Sequence, residues 1–261
     1  MRDNFFLKKR MNTLYFCLFM LVVTFISIIV TDYDVIKGFT SIPKAVEWAV
    51  SNFYPNEKAW NRLPAIAGSL TETLLVSIAS TVVAAIFALV FAIAGSHATG
   101  VGGFISWLSR SIATLFRNID VAAWSMILLM SFGQNVLTGY FALFFGSFGF
   151  LTRAFMESID EVSSSSVEAL RATGASYLSI IIHSVLPSSI PQLLSWILFM
   201  IETNIRQATL IGILTGTGIG FLFSLYYKSL NYNSASMVVM VIVCTIIIIE
   251  SVSNYVRKVI L

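Results

Sequence analysis

Charge is scarce in this chain of 261 residues: Asp, Glu, Lys and Arg make up 11%, where a soluble globular domain carries about 25%. With 57% hydrophobic residues, that shortage excludes an ordinary soluble domain. Cysteine is almost absent. Cys17 and Cys244 sit far apart in apolar runs, which excludes a CxxC metal or redox motif and argues against a disulfide framework. His97 and His183 are isolated, so no metal cluster is expected. The chain lacks a GxxxxGK[ST] loop, so it offers no phosphate cradle for ATP. Its net charge of +3 is small and scattered, which gives no footprint for nucleic acid. His97, His183, Asp120 and Glu202 are too dispersed to nominate a catalytic centre.

What the chain has instead is apolar runs of the length a bilayer demands, about 20 residues as helix. Residues 14–30 form the first, preceded by Arg2, Lys8, Lys9 and Arg10. Thr31, Asp32 and Tyr33 follow it rather than a small-x-small cleavage site, so it reads as a retained anchor. Residues 32–64 are the most polar stretch, and a short amphipathic interfacial helix is expected to start near Pro43. Further spans are expected at 69–94, 115–132, 137–156, 190–210 and 235–256, about six in all. Gly95 to Gly103 ends the second span, and Gly212, Gly216, Gly218 and Gly220 should interrupt any helix between the last two. On this division ten basic residues fall inside, among them Arg110, Arg117, Arg153, Arg171, Arg257 and Lys258. Five fall outside, and both termini are therefore expected in the cytoplasm.

That orientation puts residues 168–187, EALRATGASYLSIIIHSVLP, on the cytoplasmic side. Ser163 to Ser166 suit the cap of a first short helix, with Glu168 near its positive end. Gly174 permits a left-handed turn between two helices, and Pro187 restarts a helix after a restricted Leu186. The segment resembles the loop by which permeases of ABC importers dock on their ATPase subunit, EAA-x3-G-x9-I-x-LP. Glu168, Ala169, Gly174, Leu186 and Pro187 match that pattern, while Leu170 replaces the third-place Ala and Ser184 the Ile. ETLLVSIAST from Glu72 resembles the opening of the permease core. RNIDVAAW is similar to an Arg-x-Ile-Pro-x3-Trp pattern of phosphonate-importer permeases through Arg117, Ile119 and Trp124, with Asp120 at the Pro place. IETNIRQATLIGILTGTGIGF is similar to their Glu-x-Asn-x-Arg motif and glycine run through Glu202, Asn204, Arg206, Gly216, Gly218, Ile219 and Gly220.

The resemblance, strongest to phosphonate permeases, covers nearly the whole chain from Tyr54. It implies an all-α polytopic fold of the MetI-like type I importer class in a bacterial cytoplasmic membrane. It divides the chain into an N-terminal tail, anchor and interfacial segment at 1–64 and a permease core at 65–261, with the docking loop at 157–187. It also implies a homodimeric pore, two ATP-binding subunits below that hold ATP and Mg, and a solute-binding protein above. Glu168, Ala169, Arg171, Gly174, Leu186 and Pro187 would meet the ATPase subunit, and Gly216, Gly218 and Gly220 would form a flexible segment.

Glu202 and Arg206 lie four apart on one helix face, with Asn204 turned away. Charges within a span normally face the bundle interior or a watery cavity. Two readings stay open: the pair neutralises itself and ties span five to its neighbours, or Arg206 presents its fork to an oxyanion on the substrate path. Glu250 is expected to approach Arg257, and Asp120 to pair with Arg117 at the membrane edge. The leading function is the permease of a phosphonate importer; a permease for methionine or another small solute is the nearest rival. An ion-coupled secondary transporter would need inverted repeats of broken helices, which the sequence does not display.

Overall fold

Long apolar runs fold as helices because, in hydrocarbon, backbone N–H and C=O groups must bond within their own segment. The computed structural model describes residues 2–100 and 102–260, and among them every regular element is helical. The chain divides into two units, Met1–Phe53 and Tyr54–Leu261.

The first unit holds α1 (Arg2–Val30) and α2 (Val35–Asn52). α1 is the expected first span, with exposed apolar side chains on all sides. Contrary to expectation Pro43 lies inside α2 rather than at its start. The reason is a better cap upstream: Asp34 accepts the Lys37 backbone N–H at 2.9 Å. Ile36, Phe39, Ile42, Val46 and Val50 are exposed at helical spacing, which gives α2 the apolar stripe of an interfacial helix.

The second unit takes in residues from Tyr54 onward, ahead of the expected 64/65 boundary. Asn233 donates to the Tyr54 carbonyl at 2.7 Å. Ala59, in the short α3 (Glu57–Trp60), is fully buried with Ile66, Ile219, Met237 and Val238. At its centre α4 (Leu63–Gly95) lays Ala84, Ala85, Ala88 and Ala92 against Phe148, Leu151, Phe155 and Ile159 of α7 (Val136–Ala172). Small residues on one helix let large ones on the next approach closely.

The expected third span is broken. α5 (Gly103–Asn118) and α6 (Val121–Phe132) meet at an angle of 90°. Asp120 adopts an extended backbone, and its carboxylate caps α6 by accepting the Ala122 N–H at 2.8 Å. Gly149 of α7 makes the seat: a Cβ there would lie 2.6 Å from the Phe116 carbonyl carbon and 2.9 Å from the Arg117 Cα.

α7 runs unbroken for 37 residues, so Ser163 to Ser166 lie inside it rather than at the start of a short helix. No glycine or proline lies between Met156 and Ala172 to stop the helix, and the buried Ser163 hydroxyl pairs with that of Ser189 at 3.3 Å. The Ser164 side chain lies outside the described residues. Gly174, at φ +80°, ends α7 as expected. The Ala175 N–H bonds to Leu170 O and the Gly174 N–H to Arg171 O, the paired bonds of a glycine-terminated helix. α8 (Tyr177–Ile180), a π turn (Ile181–Val185) and α9 (Leu186–Thr215) then follow as one helical path. Pro187 therefore does not restart the chain. It lacks an N–H, and the helix widens just before it, with the Leu186 N–H reaching Ile181 O.

The glycine run also departs from expectation. Gly216 (φ +71°) ends α9 and Gly218 (φ +61°) opens α10 (Gly218–Lys228). Gly212 and Gly220, by contrast, remain within helices and let α9 and α10 touch, a Cβ on Gly212 standing 3.4 Å from the Gly220 Cα. The glycines are closely approached by their neighbours. α11 (Tyr232–Ile260) closes the unit.

Candidate functional site

Two regions gather the polar chemistry of the second unit. At the Gly174 end, Glu168, Ala169, Arg171, Gly174 and Pro187 are exposed and Leu186 is half-buried. This turn is tied to the end of α4. The Asp160 carboxylate accepts from the Ser96 hydroxyl at 2.6 Å and from the Ala98 N–H at 2.9 Å. Arg171 donates to the Ala98 carbonyl at 2.9 Å. The final carbonyls of α4 are satisfied too: Ser109 donates to Phe91 O, Thr99 to Ile93 O, Ser106 to Ala94 O and Arg110 to Gly95 O, all at 2.6–2.8 Å. A helix end left without such partners away from water would be costly. Arg171, expected as a docking contact, bonds within the chain to the segment that follows α4.

The second region lies along α9. Glu202, 8% exposed, accepts from Arg206 at 2.8 Å on one carboxylate oxygen and from Arg257 of α11 at 3.1 Å on the other. Arg257 also donates to the Ser253 hydroxyl at 2.9 Å. Two guanidiniums therefore share one carboxylate, and the cluster carries one net positive charge. Arg206 keeps 41% of its side chain exposed, leaving donors free at the surface. Asn204 turns away, as its spacing requires. It is fully buried and donates to Thr81 of α4 at 2.7 Å and Ser147 of α7 at 2.6 Å. Its place is between three helices, apart from the charged cluster.

Sequence reasoning found the Glu202–Arg206 pair from its spacing and missed Arg257, which it matched to Glu250. Nothing local points across the 55 residues between Glu202 and Arg257; Glu250 itself is exposed. The expected Arg117–Asp120 pair at a membrane edge is absent: Asp120 caps α6 instead. The α5–α6 elbow rests on Gly149, two residues from Ser147, about 3 Å along α7. Elbow and charged cluster therefore stand at one depth, near the middle of the candidate span Val136–Ser163. Arg117 and Arg257 leave the tally of basic residues beyond the spans.

Residues 86–260 match the family described as binding-protein-dependent transport system inner membrane component. The phosphite transport system permease protein PtxC of Stutzerimonas stutzeri is 27% identical over 223 residues, 85% of this chain and 79% of that protein. The phosphate-import permease protein PhnE of Mycolicibacterium smegmatis is 28% identical over 152 residues, 58% of this chain but 29% of that longer protein. Among solved structures, an inward-facing MetNI methionine ABC transporter superposes with a TM-score of 0.65 at 17% identity, over 79% of this chain and 99% of that one. At that identity the likeness speaks for the fold, which is the expected MetI-like permease fold.

Proposed function

The chain belongs to the family of binding-protein-dependent transport system inner membrane components, and from that premise we propose that it is the membrane subunit moving a phosphorus oxyanion, phosphonate or phosphite, through an ATP-driven importer. It is a multi-pass protein of the cytoplasmic membrane and an ABC importer permease. The finer reading adds a solute-binding protein that delivers the anion outside, a separate ATPase that holds ATP and Mg inside, and a pore built from two copies of this chain. In it Glu168, Ala169, Gly174 and Pro187 meet the ATPase, while Arg171 passes its movement to α4.

The observation that carries the substrate class is the excess positive charge where α9 meets the last turn of α11. One carboxylate serves two guanidiniums, and an intramembrane cluster of that sign favours an anion in the adjoining water-filled path. Relatives named for phosphite and phosphate transport support the same class. Methionine, the rival, has support only from fold likeness at 17% identity. Copurification with the ATPase and the binding protein, followed by mass-spectrometric identification of the ligand on the latter, tests the reading. A phosphonate or phosphite is expected; an amino acid in that pocket would overturn it.

A further inference from the structure

The second unit contains seven arginines, and six have a partner. Arg62 lies 4.9 Å above the Tyr226 ring, and Arg153 pairs with Glu157 at 2.8 Å. Arg110 and Arg171 hold backbone carbonyls, and Arg206 and Arg257 share Glu202. Arg117 alone makes no hydrogen bond or ion pair among the described residues, and it is exposed. Its natural partner, Asp120, is occupied with the Ala122 N–H.

Where it stands makes this unusual. The Arg117 backbone sits on Gly149, mid-way along the candidate span Val136–Ser163 and level with the Glu202 cluster. A guanidinium at that depth is costly to leave in hydrocarbon, and such charges normally face the bundle interior or a water-filled path. The broken helix exposes Asn118 beside it, adding a carboxamide donor. Irregular backbone at membrane depth is tolerated where it lines a cavity rather than where it meets lipid.

We propose that Arg117, with Asn118, is an oxyanion-contacting station at the α5–α6 elbow, a second point besides Arg206 at which a tetrahedral phosphorus oxyanion is held as it crosses. This rests on the oxyanion reading above. The forked guanidinium matches two oxygens of such a group. The partnering of the other arginines is what singles it out: Arg206 is half-committed to Glu202, whereas Arg117 has its full set of donors free.

The test uses the permease assembled with its ATPase and binding protein in neutral phosphatidylcholine vesicles, with phosphite and methylphosphonate as probes. If the wild-type complex carries neither probe, the functional reading fails before this one is reached. If it does carry one, Arg117→Gln in an equally assembled complex should slow uptake about tenfold or more, the scale of one charge-assisted contact. Arg117→Lys should recover only part. A direct readout is independent of turnover: in a Cys17→Ser, Cys244→Ser background, Asn118→Cys should react with an anionic, water-soluble thiosulfonate, more slowly when the probe is present. Uptake unchanged by Arg117→Gln, or an Asn118→Cys thiol that stays unreactive or is indifferent to the probe, would overturn the station. Protection brought by anionic lipid without probe would assign Arg117 to a headgroup phosphate and equally overturn it.

Discussion

Glu202 shows how a single side chain can change the meaning of a motif. Spacing alone gives a closed pair with Arg206, in which removing both partners should hurt less than removing one. With Arg257 on the second oxygen the expectation changes. Glu202→Gln strips the carboxylate from two guanidiniums and should destabilise the protein by about 1–3 kcal/mol, less than a fully buried pair because Arg206 and Arg257 are 41% and 27% exposed. Arg206→Gln leaves Glu202 held by Arg257 and should unfold close to wild type in a thermal scan. Yet Arg206→Gln and Arg206→Lys should both reduce uptake, because Lys keeps the charge and loses the fork. If Arg206→Gln is as destabilising as Glu202→Gln while Arg206→Lys transports normally, Arg206 is a structural residue and no part of the path.

Among the elements, those set by length and apolar run were legible in the sequence, and those set by contact were not. The first, second, fourth, fifth and sixth spans lie within helices that each run somewhat beyond them. The third was read as one helix because nothing in its composition shows that Gly149, some thirty residues later in the chain, lets the Arg117 backbone come so near. Glycine was misread for a related reason: Gly216 and Gly218 break helices through positive φ, while Gly212 and Gly220 serve close approach between them. Sequence does not distinguish those two uses. The proline of α2 and Pro187 failed as start signals because Asp34 caps better upstream and a π turn absorbs the missing donor. Gly174 was read correctly, and it carries the test of the docking turn. Its φ of +80° disfavours a β-branched residue, and no neighbour lies within 4 Å of its Cβ position. Gly174→Val should therefore cost about 1–3 kcal/mol of local backbone strain without a clash. The complex should still assemble, with substrate-stimulated ATP hydrolysis and uptake both reduced. Wild-type stimulation in that variant would remove this turn from the ATPase interface.

For the molecule as a whole, the class was legible because long apolar runs and the 168–187 pattern occur together, and the distribution of basic residues was read as placing that pattern in the cytoplasm. Moving Arg117 and Arg257 into the bundle weakens the charge tally but leaves the imbalance in the same direction. What composition hid was the polar bracing of the second unit. Asp160 and Arg171, both on α7, bond to Ser96 and Ala98 just past the end of α4, and α4 in turn is pinned by Asn204 to α7 and α9. The turn and the depth of the charged cluster are thus joined by hydrogen-bonded, packed helices. What is proposed for this chain is ATP-driven movement of a phosphorus oxyanion. It is tested most directly by reconstituting the permease with its ATPase in vesicles, ATP inside and the loaded binding protein outside, and following accumulation of labelled phosphite and methylphosphonate. The account predicts uptake of at least one of them that needs both ATP and the binding protein and is not competed by excess methionine. Uptake of methionine instead, or anion entry that proceeds at the same rate without ATP, would contradict it.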